Sequence, residues 1–427
     1  MQRLSGIIVL LALLLGACGK AEKSGKVQVH FWHGLSGPLG DTLYEMIREF
    51  NRTHSDIEII QNPISSYTAL SQKLQASIRA GKQPDIAQVF ESWTAQYVEG
   101  DILVDIGKLI EEDENFTEED MNDFYPVFLK SVTYQGRIWS FPFNKSVRAY
   151  FYNKDAFYRA GLDPNYFPAD WDEFRHYCRL LTQPATRDRN ATYGANFTVN
   201  EWQFVNLLHQ AGGTLLDENN QPVLNSPAGV EALTYITDLV NKDKTAKSTK
   251  EYDGQNEFLG GNVAMFEGSS VSITFMRQQP INFNIGYAPL PTYRTKQSAV
   301  SGANIVIFKS GDRKREKAAW EFVKWFSDTQ QTAKWSARTC YMPVRKSAMQ
   351  TETVKNFLAD FPQFARIYAQ LDDAVIEPQH AAWFEARMEL KGYLEKAKEQ
   401  ILTPQEALDE TAQKFRDLII GVQKKSG

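Results

Sequence analysis

The segment from Val27 to Phe90 constrains the fold of this 427-residue chain more than any other part of the sequence. Apolar residues alternate with polar ones after Val27 and then recur at helical spacing as far as Phe50. Both patterns repeat before a third apolar run that begins at Ile86. Alternation predicts a half-buried strand, and helical spacing predicts an amphipathic helix. The resulting order of strand, helix, strand, helix and strand predicts a parallel, doubly wound sheet.

The length predicts a second unit, because a single hydrophobic core rarely grows beyond about 250 to 300 residues. Another α/β pattern begins near Phe141, and extended stretches at residues 285–288 and 305–308 are typical of crossings between lobes. We therefore predict two lobes. Lobe 1 comprises residues 27–145 and 290–340, and lobe 2 comprises residues 146–289 and 341–427.

Polar and aromatic residues follow the predicted strands of lobe 1. Ligands of a parallel sheet bind at the carboxyl ends of its strands, near the point where the strand order reverses. The loops that follow the first three strands carry Trp32, Tyr67 and Glu91. We therefore expect an aromatic ring, a phenol and a carboxylate to converge on one edge of the sheet.

The N-terminus predicts export. Arg3 precedes an apolar run from Ile7 to Leu15 that is too short to span a bilayer, and small residues then lead to Cys18. This pattern resembles a bacterial lipoprotein signal. We interpret residues 1–18 as the signal peptide with its lipobox, Cys18 as the palmitate-bearing residue, and residues 19–26 as a flexible tether. The predicted location is the periplasm or the outer face of the cell membrane; an ordinary secretory signal with a chance cysteine is the alternative.

Composition narrows the class of partner. The formal net charge is −5 and no block of lysine or arginine occurs, which argues against nucleic acid. Cys178 and Cys340 lack CxxC spacing; a disulfide and two free buried thiols both fit, and free thiols are the simpler interpretation. The six histidines show no paired spacing, so we predict no metal and no cofactor. Without a GxSxG, HExxH, P-loop or SxxK motif, we also predict no catalytic residues.

Five short motifs carry a family resemblance. They are FWH at 31–33, FPFN at 141–144, YNKDAF at 152–157, AGLDP at 160–164, and a C-terminal segment at 403–409. Together they resemble bacterial extracellular solute-binding proteins of ABC importers, and within them the branch that binds sn-glycerol 3-phosphate. The resemblance implies an α/β, two-lobed periplasmic-binding-protein fold of type II, with a doubly wound sheet in each lobe, hinge crossings between the lobes and the ligand in the cleft.

The resemblance also implies a ligand site. The family's ligand contacts fall on positions where this chain has the same residue types, namely Tyr67, Glu91, Ser146, Ser269, Gly302, Tyr341 and Arg387. Arg387 supplies a planar fork of donors that matches phosphate, so we predict that it anchors the phosphate. The two serines, Tyr341 and the backbone at Gly302 can donate further hydrogen bonds. Glu91 accepts hydrogen bonds and would repel phosphate, which places it at the hydroxyl end.

An aromatic residue completes the predicted site. Trp202 falls where the family has a tryptophan near the cleft, and an indole face can pack on the C–H side of a polyol. At Val199 the chain departs from the family, which has a second tryptophan there. The loss of this aromatic wall adds a bulkier glycerophosphodiester, or a sugar, to the candidate ligands.

The predicted function is transport. We expect a solute-binding component that captures sn-glycerol 3-phosphate or a related glycerophosphodiester and delivers it to the permease subunits of an ABC importer. A binding protein for a neutral sugar or oligosaccharide is the alternative, and an exported hydrolase or a surface adhesin has less support. The expected partners are the small ligand, the permease and, through the lipid, the membrane. The expected oligomeric state is a monomer.

Overall fold

A computed structural model describes residues 25–187, 190–250 and 253–426. The predicted signal peptide, Cys18 and most of the predicted tether lie outside the described residues. Within the described ranges, no helix combines the length and the apolar character that crossing a membrane would require.

Thirteen strands are described. They are β1 (Val27–His33), β2 (Ile57–Pro63), β3 (Ile86–Val89), β4 (Thr133–Tyr134), β5 (Arg137–Ile138), β6 (Ser140–Ser146), β7 (Arg148–Asn153), β8 (Tyr193–Thr198), β9 (Ala246–Thr249), β10 (Val263–Ser269), β11 (Ile285–Ala288), β12 (Ser298–Ile307) and β13 (Ala374–Ile376).

Helices connect and cover these strands. They are α1 (Gly37–Thr53), α2 (Tyr67–Arg79), α3 (Glu91–Glu99), α4 (Ile106–Glu111), α5 (Glu118–Asp123), α6 (Pro126–Val132), α7 (Lys154–Arg159), α8 (Trp171–Leu181), α9 (Glu201–Gln210), α10 (Pro227–Asn241), α11 (Asp253–Leu259), α12 (Ser272–Met276), α13 (Arg313–Phe326), α14 (Thr329–Thr339), α15 (Glu352–Asp360), α16 (Phe364–Tyr368), α17 (Trp383–Lys398) and α18 (Pro404–Ser426). Short 3₁₀ helices occur at Lys346–Gln350 and Ala369–Asp373.

Two sheets organise the fold. The first has the order β13-β12-β3-β1-β2, with β6 also paired to β12, and the second has the order β11-β7-β10-β8-β9. Strand β1 runs parallel to β2 and to β3, which confirms the arrangement predicted for the N-terminal segment. Strand β12 runs antiparallel to β3 and β6. We call the elements around the first sheet the first lobe and those around the second sheet the second lobe; this two-lobed α/β fold confirms the prediction.

The core of the first lobe follows from the amphipathic pattern of the sequence. Helix α1 buries Leu43, Met46 and Phe50 on one face, as its helical spacing predicts. The ring of Phe50 meets Phe322 of α13 edge to face at 5.2 Å between centroids. Burying one such side chain contributes about 1.5 to 3 kcal/mol, so this face fixes α1 and α13 on the sheet.

Three crossings in the described chain join the lobes. Val147 alone separates β6 of the first sheet from β7 of the second. Strand β12 contacts α9 of the second lobe near its start, where Trp202 donates to the carbonyl of Ala299, and ends between β3 and β6. The segment between β13 and α17 makes the third crossing. Of the two stretches expected to cross, residues 285–288 lie in β11 inside the second sheet, and the stretch from residue 305 is the end of β12 inside the first sheet, so the crossing lies between them.

The predicted lobe boundaries at 290 and 341 stay a prediction, and the contacts favour later ones. Tyr293 stacks on Trp171 of the second lobe at 4.6 Å, although residues from 290 onward were predicted in lobe 1. The segment after 341 packs with the first lobe, where β13 pairs with β12 and Phe364 joins the core that contains Phe31. Non-local pairing decides these boundaries, and the local sequence pattern carries no sign of it.

Candidate functional site

An amide and phenol network lies at the edge of the first sheet; it consists of Gln88, Asn144, Tyr67 and Tyr341. The side-chain nitrogen of Asn144 donates to the hydroxyl of Tyr67 at 3.1 Å and to that of Tyr341 at 2.9 Å. The nitrogen of Gln88 donates to Tyr67 at 3.0 Å and to the side-chain oxygen of Asn144 at 2.8 Å. Because both phenols accept in these bonds, their own protons stay available for a ligand.

Local sequence places the two phenols. The side chain of Ser66 caps α2 by accepting from the backbone of Ala69, so Tyr67 is the first residue of the helix. Cys340 adopts a left-handed conformation with φ of 60° at the end of α14 and turns the chain toward Tyr341. Burial raises the pKa of Tyr67 to about 12, so this phenol remains a donor at any physiological pH.

Glu91 faces a buried lysine. It is the first residue of α3, where the positive end of the helix dipole favours a carboxylate. Lys145 of β6 has no exposed side-chain surface and donates from Nζ to Glu91 Oε1 at 2.6 Å. Asn304 of β12 approaches the same oxygen at 3.5 Å. Among the described residues, no donor is placed on Oε2 of Glu91, which leaves an acceptor for a ligand hydroxyl.

Four of the predicted residues converge on the first crossing. Ser146 ends β6 and pairs with Ser301, the neighbour of Gly302, while Ser269 pairs with Arg148 just beyond the crossing. The backbone of Met342, next to Tyr341, donates to the carbonyl of Lys145 at 2.7 Å. Ser146, Ser269, Gly302 and Tyr341 therefore lie around residues 145–148.

The glycine at 302 serves strand packing. Its φ is 115°, and a Cβ built there would lie 2.0 Å from the carbonyl oxygen of Asn144. The register between β12 and β6 shifts one residue later, between Ala303 and Asn304. The close approach that requires glycine is thus an approach to β6, and it holds Asn144 at the centre of the network.

Arg387 lies in the second lobe between two carboxylates. Its Nε donates to Glu201 Oε1 at 2.8 Å, and its Nη1 donates to Glu377 Oε2 at 3.2 Å. Burial opposes the charge of Arg387, but Glu377 and Glu201 outweigh it and raise the pKa above its usual value. The ring of Phe90 lies beneath the guanidinium at 5.8 Å. We call Arg387, Glu201 and Glu377 the Arg387 cluster.

This cluster is anchored without a ligand. Asn200 caps α9 by accepting from Gln203, so Glu201 occupies the first turn. Glu377 directly follows β13, and its Oε2 also accepts from the indole of Trp383 at 2.7 Å. Burial raises the pKa of Glu377, and nearby Glu91 and Glu201 act in the same direction. The predicted phosphate anchor therefore already has two of its three nitrogens paired.

The charges near Arg387 do not favour a second anion. Three carboxylates, Glu91, Glu201 and Glu377, face two cations, Lys145 and Arg387, which formally leaves one negative charge in excess. Two unit charges about 4 Å apart interact by roughly 4 kcal/mol at an effective dielectric constant of about 20. A phosphate beside Arg387 would have to displace a carboxylate or accept this repulsion.

Trp202 forms part of the second-lobe wall. The guanidinium of Arg148 lies over its ring at 5.3 Å, and Arg148 is itself ion-paired with Glu267. Val199, at the position of the absent second tryptophan, is buried in the second-lobe core. Its small side chain is therefore accommodated by packing within that lobe.

An aromatic contact joins the lobes beside the site. Phe384 of α17 packs edge to face on Trp93 of α3 at 5.0 Å and lies 6.0 Å from Phe90. The ring of Phe90 in turn contacts Tyr67 at 4.7 Å. Gln379, in the third crossing, donates to the carbonyl of Thr133 at 2.9 Å. These contacts hold the two halves of the site against each other.

A surface pocket of about 680 Å³ lies elsewhere, on the second lobe around Trp171, Tyr235 and Tyr293. Its lining contains none of the eight predicted site residues. Tyr235 and Tyr293 both stack on Trp171, and Arg294 lies over Tyr293 at 4.8 Å.

Five polar residues that the structure brings to the site were not predicted from the sequence: Gln88, Asn144, Lys145, Glu201 and Glu377. Asn144 closes the FPFN motif, so the motif itself was a signal. Glu201 and Glu377 carried no signal, because isolated glutamates near helix starts and strand ends are usually solvated. The part of the chain that the structure describes contains no cluster of three or more His, Cys, Asp or Glu side chains suited to a metal.

Comparisons with known proteins agree on the family. The sequence profile described as Bacterial extracellular solute-binding protein matches residues 45–361. The sn-glycerol-3-phosphate-binding periplasmic protein UgpB of Pectobacterium atrosepticum is 26% identical over 363 residues, which cover 80% of this chain and 79% of that protein. The Escherichia coli K12 protein of the same name is 24% identical over 368 residues, which cover 82% of each chain.

Solved structures share the fold. UgpB from Mycobacterium tuberculosis in complex with glycerophosphocholine superposes with a TM-score of 0.80 at 22% identity, covering 93% of this chain and 98% of that one. The cyclic alpha-maltosyl-1,6-maltose binding protein from Arthrobacter globiformis gives 0.78 at 24% identity, covering 92% and 99%. One of these proteins binds a phosphodiester and the other an oligosaccharide, so the fold by itself leaves the ligand open.

Proposed function

Because this chain belongs to the bacterial extracellular solute-binding proteins and serves as the solute-binding component of an ABC importer, we propose that its ligand is a polyol phosphate of the glycerophosphodiester type. The cleft between the lobes receives this ligand. Closure of the lobes around it then presents a form that the permease subunits recognise. The relatives are binding proteins, and no reaction is proposed.

One observation carries the proposal: the site has an uncharged donor end and a charged polyol end. The donor end consists of Tyr341, Ser146, Ser269 and the backbone around Gly302, grouped at the first crossing. The polyol end consists of Glu91 and Arg387, and the carboxylate of Glu91 helps to raise the pKa of Arg387. Adjacent donors and acceptors match the hydroxyls of a glycerol moiety, each of which donates one hydrogen bond and accepts others.

This arrangement changes the role proposed for Arg387. Its pairing with Glu201 and Glu377 favours placing it on the glycerol hydroxyls and placing the phosphate on the neutral donors. Neutral donors suit the single charge of a phosphodiester better than the double charge of glycerol 3-phosphate. A glycerophosphodiester with a cationic headgroup, which has no net charge, fits best.

A neutral sugar or oligosaccharide is the second candidate. The observation that favours it is the same excess of carboxylates, because sugar hydroxyls donate to such groups. A sugar would engage the polyol end in the same way and would leave the neutral donor end to ring hydroxyls.

Isothermal titration calorimetry on the purified chain without residues 1–24 tests the proposal. The titrants are glycerophosphocholine, glycerol 3-phosphate, maltose and inorganic phosphate. We expect saturable binding of glycerophosphocholine and weaker binding of glycerol 3-phosphate. Tyr341→Phe should weaken the phosphodiester by about 1 kcal/mol, because it removes one neutral donor. Tight maltose binding with no phosphodiester binding would favour the sugar instead.

We also propose that Cys18 carries the lipid that holds the mature, monomeric chain at the membrane. The lipobox pattern of residues 15–18 supports this proposal. Cys18→Ser should move the expressed protein from the detergent phase to the aqueous phase in a phase partition experiment. Equal partition of the variant and the wild type would reject the anchor and leave the binding function untouched.

A further inference from the structure

The two carboxylates of the Arg387 cluster are fixed by the protein itself. Glu201 is set by the start of α9 behind its Asn200 cap, and Glu377 is held by the indole of Trp383. The side chains of Arg387, Glu201 and Glu377 are only 14%, 15% and 8% exposed. Each carboxylate therefore occupies a position on the guanidinium that a phosphate oxygen would otherwise take.

Unused atoms remain beside these paired ones. Among the described residues, Nη2 of Arg387 has no partner, and Oε1 of Glu377 is buried without one. A donor nitrogen and an acceptor oxygen on adjoining side chains match the donor and acceptor of a hydroxyl. The oxygens of a phosphate dianion accept only, so they would satisfy Nη2 and leave Oε1 facing a like charge.

We infer that Glu201 and Glu377 are specificity-determining residues, which neutralise Arg387 so that its end of the cleft admits a neutral diol and excludes a phosphate dianion. This inference rests on the proposed function in placing the ligand between the lobes. In this inference Arg387 donates hydrogen bonds to ligand hydroxyls, and its own positive charge is already compensated by the two carboxylates. It also assigns discrimination between a phosphodiester and a phosphomonoester to two side chains that the family resemblance did not mark.

Inorganic phosphate is the probe that isolates the charge effect. Millimolar phosphate should change the melting temperature of the wild type no more than a salt without phosphate or sulfate does at the same ionic strength. Glu201→Gln and Glu377→Gln should each acquire a phosphate-dependent rise in melting temperature, and the double variant the largest. In calorimetry, each variant should shift the ratio of glycerol 3-phosphate to glycerophosphocholine affinity toward the monoester by about tenfold or more.

Glu231→Gln is the matched control. Glu231 pairs with Arg294 at 2.6 Å on the outer face of the second lobe, so this change also removes one carboxylate from an arginine. It should leave the phosphate response and the affinity ratio at their wild-type values. Single variants that fold, yet gain no phosphate response and keep the wild-type ratio, would overturn the inference.

The outcome is separable from that of the proposed function. If the wild type binds none of the polyols, the proposed ligand class fails, whereas the phosphate response of the glutamine variants still decides the role of the two carboxylates. If the wild type binds a polyol and the variants lose every titrant equally without a phosphate response, the glutamates are structural and the inference fails alone.

Discussion

Both halves of the candidate site hold a fixed set of polar atoms, but different interactions fix them. The amide and phenol network of the first lobe is uncharged, and each of its side-chain N–H groups is used within the protein. The Arg387 cluster of the second lobe is held by charge and keeps unpaired atoms. The first half depends on strand geometry, so it tolerates little change in the backbone. The second half depends on charge balance, so it should respond to single charges and to pH.

Gly302→Ala should have the largest effect, because it acts on the backbone beneath the neutral half. The added Cβ meets the carbonyl of Asn144, and the residue keeps a φ of 115°. We expect a loss of at least about 4 kcal/mol in the free energy of unfolding, or a failure to fold. Urea unfolding followed by circular dichroism measures it.

Gly261→Ala is the control for backbone conformation alone. Its φ is 75°, but no atom lies within 4 Å of the added Cβ. It should cost about 1 to 2 kcal/mol. Equal losses at the two glycines would mean that conformation, and not the contact with β6, decides the effect at 302.

Arg387→Ala should come next, because it leaves Glu201 and Glu377 buried beside each other without their cation. Removing one partner of a buried pair costs about 3 to 5 kcal/mol. The same unfolding experiment measures the loss, and calorimetry with glycerophosphocholine measures binding. Arg387→Lys keeps the charge but not the planar fork, so it should recover stability more fully than affinity. An alanine variant with unchanged stability would contradict the charge balance inferred for this half.

Phe384→Ala tests where the two halves touch. Phe384 makes one ring contact with Trp93 and one with Phe90, and each such contact contributes about 0.5 to 1.5 kcal/mol. Small-angle scattering of the ligand-free variant should show a larger radius of gyration than that of the wild type. Tyr158→Ala, at an aromatic residue that is 75% exposed, should leave the scattering unchanged. The same curve for Phe384→Ala and the wild type would rule out this contact as a closing element.

The smallest expected effect is a pH dependence from Glu377. Burial raises its pKa above the usual 4.5, so the folded chain binds this proton more tightly than the unfolded chain. The stability that this group contributes is complete below the unfolded-state pKa and is lost as the pH rises through the folded-state value. The difference in unfolding free energy between the wild type and Glu377→Gln should therefore fall as the pH rises above 4.5. If the unfolding free energies of the wild type and the variant changed in parallel with pH, Glu377 would not be the titrating group.

Part of the site could be predicted because its residues lie next to local sequence patterns, such as the end of a strand or a short motif. Tyr67 and Glu91 begin helices that follow strands; the sequence pattern predicted the first helix, and the helix that starts at Glu91 appears only in the structure. Asn144 lay in the FPFN motif, yet its role depends on Tyr341, which is 197 residues away. Such a contact has no local signature, because it is made only when β6, α2 and the end of α14 meet.

The amino-acid sequence by itself determined the N-terminal strands and helices, the parallel order of β1, β2 and β3, and the family, because periodicity, caps and motifs are local properties of the chain. The tertiary structure decided which charged groups are already paired. From the sequence, Arg387 is a candidate to bind phosphate, but in the folded chain it is paired with Glu201, 186 residues away, and with Glu377. Electrostatic compensation depends on distance in space, so only the folded chain shows whether a cation is available to a ligand.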